Sequence, residues 1–557
     1  MSKIRVGGLG GFGENGKNLY LCEVDNRIFI LDCGIKYPTS EFHGVDTIIS
    51  DFQYLLDNKE KIQGVFLSHG HEDHIGGLVY LLKDINIPIY GSSFTIAILE
   101  DQLKEADMNP LDYELNVVNE DDTIKFGTNH VSFFATTHSI PQSLGIAIHT
   151  KYGIIVYTGD YCFDQNVDSN YKTSLGKISD LGKKGVLCLM NESIGATNST
   201  GNLYFELKHK LNGIFNDAKG RIIVTLFSTD LRSIQQIIDM SIKYDKRIAI
   251  IGRKAQRIVD VAVTLGYLRI PEERLANLRY IDDKNKNNDS DLVILVTGVR
   301  HEPFFMLQRM CKKIDRLIHI NPIDNIIMMT SPVPGTEKMA ARTLDILCRT
   351  KAKTHTINQK YLQASHASRE EIKMMINLLK PKYIVPLKGD YRLQYAQIEI
   401  ATELGYDPKQ VVILDNGSLL VFDKGKKVDA IDSIPCAEVL IDGSVAGDVN
   451  DIVLRDRELL SNDGVMIIIA NVNPRTKKVL SGPEIISKGF LYTKEENDII
   501  SNVKTIFNSV SEKHLSGKYI NWVDYKKDVK DEINRYLYKE IKRCPVMIPI
   551  IISTEVS

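Results

Sequence analysis

The chain predicts a layered α/β protein. In residues 1–205, short runs of β-branched and aromatic residues alternate with helix-length stretches. From 206 to 350 that alternation becomes regular. Length supplies the remaining constraint: 557 residues exceed what a single hydrophobic core accommodates, so the chain divides into several domains.

Taken in order, the first part supplies strands at Ile28-Phe29-Ile30-Leu31, Val65-Phe66-Leu67, Ile87-Pro88-Ile89-Tyr90, Val131-Ser132-Phe133-Phe134 and Ile154-Ile155-Val156-Tyr157. Helices over 78–84 and 95–103 come between them. The second part has strands over 221–226, 247–251 and 292–296, each followed by a helix-like segment, with the polar run 282–289 as a surface loop. The first style returns over 351–430. There Ser368 caps a helix with Glu370 and Glu371 in its first turn, and strands span 382–387 and 419–422. Residues 431–450, inside a turn-rich stretch from 424 to 451, read as a linker. Residues 451–557 form a last domain, with strands near 466–470 and 490–492, helices over 494–511 and 525–541, and Tyr519 and Trp522 packed within it. Its apolar end, 545–552, either closes the domain's own sheet or pairs with a partner.

Composition excludes some classes. Charged residues make up 25% and hydrophobic residues 43%, with no tract long enough to cross a bilayer. The first residues lack an apolar leader pattern, and the eight cysteines include no CxxC pair; both features read as cytoplasmic. A net charge of −2 confines any site for a polyanion to a local groove. Gly8-Leu9-Gly10-Gly11-Phe12-Gly13 matches the GxGxxG dinucleotide pattern, yet Asn18 to Val24 then alternates like a strand. No helix N-terminus follows to receive a pyrophosphate, so the segment reads as a tight loop on the active-site side.

The chemistry is concentrated in Leu67-Ser68-His69-Gly70-His71-Glu72-Asp73-His74, where four potential metal ligands fall within six positions after a strand. Imidazole and carboxylate ligands suit Zn²⁺ or Mn²⁺. His138 and Asp160 stand at two later strand ends. His69, His71 and His138 would give one metal three imidazoles, Asp73 and His74 would face a second, and Asp160 would bridge the pair. Two such ions, about 3.5–4 Å apart, orient a water for in-line attack and stabilise both oxygens of a phosphodiester displacement. Asp73, His74 and Asp160 are therefore candidates for catalysis as well as for ligation.

These residues carry a resemblance. Ser68-His69-Gly70-His71-Glu72-Asp73-His74, Thr137-His138-Ser139-Ile140-Pro141 and Thr158-Gly159-Asp160-Tyr161 resemble the successive motifs of the metallo-β-lactamase superfamily. The segments 226–232, 297–303, 331–335 and Ala364-Ser365-His366-Ala367 resemble the β-CASP insertion and the return from it. Over essentially the whole chain the pattern is similar to the ribonuclease J family. The resemblance implies an αββα metallo-β-lactamase sandwich interrupted by an α/β β-CASP domain, plus a small α+β C-terminal domain. The implied activity is a metal-dependent ribonuclease, both 5′→3′ exonuclease and endonuclease, acting in RNA maturation, rRNA processing and mRNA decay. It further implies a catalytic role for His366 and RNA contacts from Ala364, Ser365, His366, Ser228 and Ser331.

The chain also departs from the family pattern. Where the family carries its last ligand histidine, this chain reads Pro386-Leu387-Lys388-Gly389-Asp390. A lysine ammonium has no lone pair and repels a dication, so one metal site is expected and the second is not. Ser365 stands in place of glycine, Gln142 in place of aspartate, and Val299-Arg300-His301 replaces a small and polar stretch. These departures resemble the second, weaker paralogue of Gram-positive bacteria. They imply attenuated activity in complex with an active paralogue or as a homodimer, within an RNA-degradation assembly and away from membranes. The alternative is a catalytically inactive RNA-binding structural subunit. Lactam or thioester hydrolysis would leave the inserted domain unexplained.

Overall fold

Two stacked sheets frame the first part of the computed structural model. It describes residues 3–554 except 40, 41, 43, 166, 200–202, 277–289, 334, 363, 364, 444, 447–450 and 491–495. The expected loop 282–289, Ala364 and part of the expected strand 490–492 lie outside the described residues. Contacts divide the chain into two units, 1–40 with 46–439, and 41–45 with 440–557.

In the larger unit, an eight-stranded sheet runs in the order Lys426–Ser433, Ser418–Asp423, Lys3–Gly10, Leu19–Val24, Arg27–Leu31, Ile62–Phe66, Ile89–Gly91 and Leu115–Val117. A six-stranded sheet runs Tyr383–Leu387, Val186–Glu192, Gly153–Tyr157, Leu144–Thr150, Asn129–Ala135 and Thr123–Phe126. Both faces that meet are apolar. Ile4, Phe29 and Phe66 from the first sheet pack with Ile146, Tyr157 and Met190 from the second in one buried cluster. The outer face of the second sheet is covered by the helices Leu175–Lys184, Arg369–Leu379 and Tyr391–Glu403. This is an αββα sandwich, and the returning segment joins both sheets. Tyr383–Leu387 pairs parallel with Val186–Glu192, and Ser418–Asp423 pairs antiparallel with Lys3–Gly10.

The inserted part has a five-stranded, all-parallel sheet in the order Arg247–Ile251, Leu292–Gly298, Ile222–Phe227, Asn325–Met328 and Lys353–Thr356. Strand order reverses on either side of Ile222–Phe227, and such a switch point opens a crevice at the carboxyl ends of the strands. In the smaller unit, Lys478–Lys488, Val465–Asn473 and Val546–Ser553 form a sheet that packs on the helices Glu496–Leu515 and Trp522–Ile541. Among the described residues no helix is long and apolar enough to cross a membrane.

Local signals set several boundaries. The Ser368 hydroxyl and Glu371 form a capping box at the start of Arg369–Leu379. Asp230 and Asp390 cap Leu231–Lys243 and Tyr391–Glu403 by accepting from backbone N–H groups. Two expectations fail, and one strand goes unread. The turn-rich stretch 424–451 contains the strands Lys426–Ser433 and Glu438–Asp442; the former is a solvent-facing edge strand whose polar residues hide the period-two signal. Tyr519 is 83% exposed rather than packed, while Trp522 does meet the core. The eleven-residue strand Lys478–Lys488, mostly exposed, carries too few apolar residues to be read from sequence. The apolar end closes its own sheet, parallel to Val465–Asn473.

Candidate metal centre

The site forms where strands of both sheets end. Ile62–Phe66 runs into the loop carrying His69 and His71, and the short helix Glu72–Ile75 then presents Asp73 and His74. His138 follows Asn129–Ala135, Asp160 follows Gly153–Tyr157, and Lys388 follows Tyr383–Leu387. Lys388 has φ 51° and Gly389 φ 95°, a tight turn in which glycine takes the second left-handed position without a Cβ penalty.

Asp160 Oδ2 is the hub. On one side lie three imidazoles: His71 Nδ1 is 3.1 Å from His69 Nε2 and 3.2 Å from His138 Nε2, and the latter two nitrogens lie 3.7 and 3.6 Å from Asp160 Oδ2. Burial pushes the His71 pKa down to about 4, and burial reinforced by the neighbouring imidazoles drives His69 well below its ordinary value. Burial likewise lowers His138. Neutral imidazoles are what a metal requires. Their other nitrogens are held in orientation: His138 Nδ1 donates to Ser365 O at 2.8 Å, and His69 Nδ1 lies 2.9 Å from Ser68 Oγ. Three imidazole nitrogens, those of His69 and His138 buried and that of His71 partly so, face one carboxylate and form a donor set that fits a single divalent cation, with His69, His71, His138 and Asp160 as its residues.

On the other side, Lys388 Nζ lies 2.5 Å from Asp160 Oδ2, 2.8 Å from Asp73 Oδ2 and 2.9 Å from His74 Nε2. These are the residues that a second cation would need. Lys388 is buried, so it is not an exposed turn residue. Burial opposes the ionised forms of Asp160 and Asp73, but the ammonium overrides it and holds both carboxyls well below their usual range. The two aspartates in turn outweigh burial at Lys388 and raise its pKa. His74 Nε2 faces two donors, the ammonium and Asn18 Nδ2 at 3.1 Å, so its proton sits on Nδ1, which donates to Asp32 Oδ2 at 2.7 Å. The second group does not fit a metal: its ligand atoms are already taken by a cation of the chain itself.

His366 completes a third cluster. Its Nδ1 donates to Glu192 Oε2 at 2.8 Å and lies 3.8 Å from Asp160 Oδ2. The site opens into a cavity of about 460 Å³ that combines sandwich residues His71, Asp73, His366 and Lys388 with Thr229 and Arg300 from the carboxyl end of the inserted sheet. Glu14 and Gly16, just after the glycine run, border it, whereas Gly8-Leu9-Gly10 end the strand Lys3–Gly10 rather than forming the expected loop, because that strand pairs with Leu19–Val24 and Ser418–Asp423.

The structure brings His69, His71, Asp73, His74, His138, Asp160, His366 and Lys388 together. Ser228 is fully buried, and its neighbours Phe227 and Thr229 face the cavity, as alternation at a strand end dictates. Ser331 is half-buried, and Val333 is the residue of its loop that lines the wall. Gln142 points away and accepts from Phe94 N at 3.1 Å. Arg300 donates to Pro38 O at 2.8 Å and stands 5.0 Å from the Tyr37 ring, tying the insertion to the sandwich at the cavity wall.

Sequence reasoning missed Asp32, Glu192 and Asn18. Asp32, fully buried, receives the Ser68 N–H and hydroxyl, the Tyr157 hydroxyl and His74 Nδ1. Its only signal was an acidic residue ending the apolar strand Arg27–Leu31.

Comparison with known proteins agrees with this architecture. The chain matches "Metallo-beta-lactamase superfamily" over 13–239, "Ribonuclease J, beta-CASP domain" over 219–347, "Zn-dependent metallo-hydrolase RNA specificity domain" over 363–413 and "Ribonuclease J C-terminal domain" over 452–554. It is 35% identical over 552 residues to Ribonuclease J 2 of Staphylococcus epidermidis, covering 98% of each chain. Ribonuclease J 2 of Staphylococcus aureus matches at the same identity and coverage. A crystal structure of a protein of unknown function from Enterococcus faecalis shares the fold, with TM-score 0.55 and 14% identity over 76% of this chain and 100% of that one.

Proposed function

The chain belongs to the ribonuclease J family of metal-dependent ribonucleases of RNA processing, and from that premise we propose that it is an attenuated member built around one metal. The observation that carries this reading is Lys388 Nζ within 2.9 Å of a ligand atom on each of Asp73, His74 and Asp160. His69, His71, His138 and Asp160 are the ligands of the remaining ion, zinc or manganese. When bound, that ion supplies Lewis-acid charge to a phosphodiester and its attacking water.

The protein's own residues do the rest. Lys388 contributes one positive charge where a second cation would contribute two, which offers the developing phosphoryl charge less stabilisation. Asp73, His74 and Asp160 act through that ammonium. His366, fixed by Glu192, is assigned the leaving-group proton, supported by its 2.8 Å hydrogen bond and its place on the cavity wall. Ser365 holds His138 through its carbonyl, and together with Ser331 and the segment beginning at Ala364 it is assigned to the path of the RNA; Ser228, fully buried, takes no part in that path. Exonucleolytic 5′→3′ and endonucleolytic cleavage both belong to this reading. A cytoplasmic setting is supported by the eight cysteines, all free. Partnership with a paralogue or a second copy is supported by the exposed Ile548, Ile550 and Ile552 of the C-terminal unit.

Metal content and turnover test the reading. The native chain is expected to hold one ion tightly and to degrade a 5′-monophosphorylated RNA slowly, whereas Lys388→His takes up a second ion and gains rate. Two tightly bound ions in the native chain would refute it. The same Lys388 geometry favours a second reading, an RNA-binding subunit without catalysis. Equal decay rates for the native chain and His71→Ala would select that one.

A further inference from the structure

Arg232, the second residue of the helix Leu231–Lys243, belongs to the inserted part yet reaches two of the loops that carry metal ligands. Its backbone N–H donates to Ser139 O at 3.1 Å, one residue after His138. Its guanidinium pairs with Asp164, four residues after Asp160, and donates toward Cys162 Sγ at 4.0 Å. The pair is nearly out of water, with Arg232 8% exposed and the Asp164 side chain 10%. Tyr204 fixes the guanidinium plane, whose carbon lies 3.6 Å from the ring centroid. A planar fork stacks on a ring while its edge bonds a carboxylate; a lysine ammonium supplies the charge without that geometry.

Both loops take their shape from partners elsewhere in the chain. After Asp160 the backbone leaves its strand, and three successive amides are bound by three separate segments: Tyr161 N donates to Glu192 Oε1 at 2.7 Å, Cys162 N to Thr137 O at 2.8 Å and Phe163 N to Glu371 Oε1 at 2.6 Å. The Asp164 pair adds the inserted part as a further anchor. On the other loop, Ser139 Oγ lies 3.3 Å from His71 Nε2, while His71 Nδ1 faces His69 and His138. With the Nε2 proton donated to that hydroxyl, Nδ1 keeps its lone pair for a metal.

We infer that Arg232 is a positioning residue of the metal centre: through Asp164 on one loop and Ser139 on the other, it holds Asp160, His138 and His71 at the separation that a single ion requires. The inference rests on the one-metal reading. Arg232 does not line the cavity of about 460 Å³, whereas Phe227 and Thr229, just before its helix, do. The residue therefore acts on the ligands and leaves the wall that RNA meets in place.

The test is titration of the metal-free full chain with Co²⁺, whose visible absorption reports the arrangement of its ligands. Arg232→Gln and Asp164→Asn are each expected to weaken binding about tenfold and to alter the absorption bands, as loss of a residue that orients ligands does. The double variant should lose no more than either single one, because both remove the same tie. Arg232→Lys should recover part of the loss. At saturating metal, kcat on a 5′-monophosphorylated RNA should fall about tenfold in Arg232→Gln with KM near native. Asp324→Asn is the control: it breaks the buried pair with Arg221 at the other end of the strand Ile222–Phe227, so its melting temperature should fall while its Co²⁺ affinity and spectrum stay native. Should Arg232→Gln fail to fold, Arg232→Lys carries the test with a smaller loss in the same direction. Native Co²⁺ affinity and spectrum in the folded Arg232 variant overturn the inference alone, and so does an equal loss in Asp324→Asn, which would make Arg232 a general stabiliser. A native chain that binds no ion sinks the one-metal reading and the inference together.

Discussion

The two sides of Asp160 are built from the same kinds of residue and come out opposite in chemistry. On the side of His69, His71 and His138, imidazole nitrogens face one another at 3.1–3.2 Å, and burial disfavours the charged form of each ring. On the side of Asp73 and His74, comparable atoms are saturated by the Lys388 ammonium. One half therefore leaves its nitrogens open to a cation supplied from outside, and the other carries its own. A single residue at the end of a strand places the chain's own cation among Asp73, His74 and Asp160.

The largest effect that would break this contrast comes from the open side. His69→Ala or His71→Ala should abolish metal-dependent RNA cleavage, a loss of several kcal/mol in barrier or on the order of a thousandfold in rate, read as turnover on one defined RNA. Next comes the closed side. Lys388→Met leaves Asp73 and Asp160 facing each other without a counter-charge, and should destabilise the metal-free protein by about 3–5 kcal/mol in denaturant titration. Added Mn²⁺ should restore part of that loss in the variant and little in a doubly substituted Lys388→Met/Asp73→Ala chain. A smaller effect falls on both halves at once. Asp32 orients His74 directly and His69 through Ser68, so Asp32→Asn should weaken metal binding about 10–100-fold, measured by competition with a chelating dye. The smallest effect is at the cavity wall. Arg300→Ala should lower the slope of log affinity for RNA against log salt by about one unit while leaving metal content unchanged.

Much of the sandwich was legible because its signals are local. The strand Arg247–Ile251 and the helix Leu78–Asp84 occupy the residues their patterns predict. The cap at Ser368 needed only the acidic residues beside it. The metal motif was legible for a similar reason, since His69, His71, Asp73 and His74 are neighbours in sequence. Asp32 and Glu192 were not. Each is a lone acid at the end of an apolar strand, and its importance lies in partners more than thirty residues away, His74 for Asp32 and His366 for Glu192. Lys426–Ser433 was lost to the opposite problem: an edge strand facing water carries no buried period-two stripe.

The sequence by itself determined which atoms are available: imidazoles and carboxylates at strand ends, and a lysine where a histidine is expected. Identity and local spacing suffice for that, because ligand chemistry belongs to the side chain. Whether Lys388 would extend into solvent or fold inward was decided only by the tertiary structure, in which two strands of one sheet, distant in sequence and separated by the single strand Val186–Glu192, deliver Asp160 and Lys388 to the same buried point. Burial there makes the ion pair obligatory, since neither charge has water to turn to.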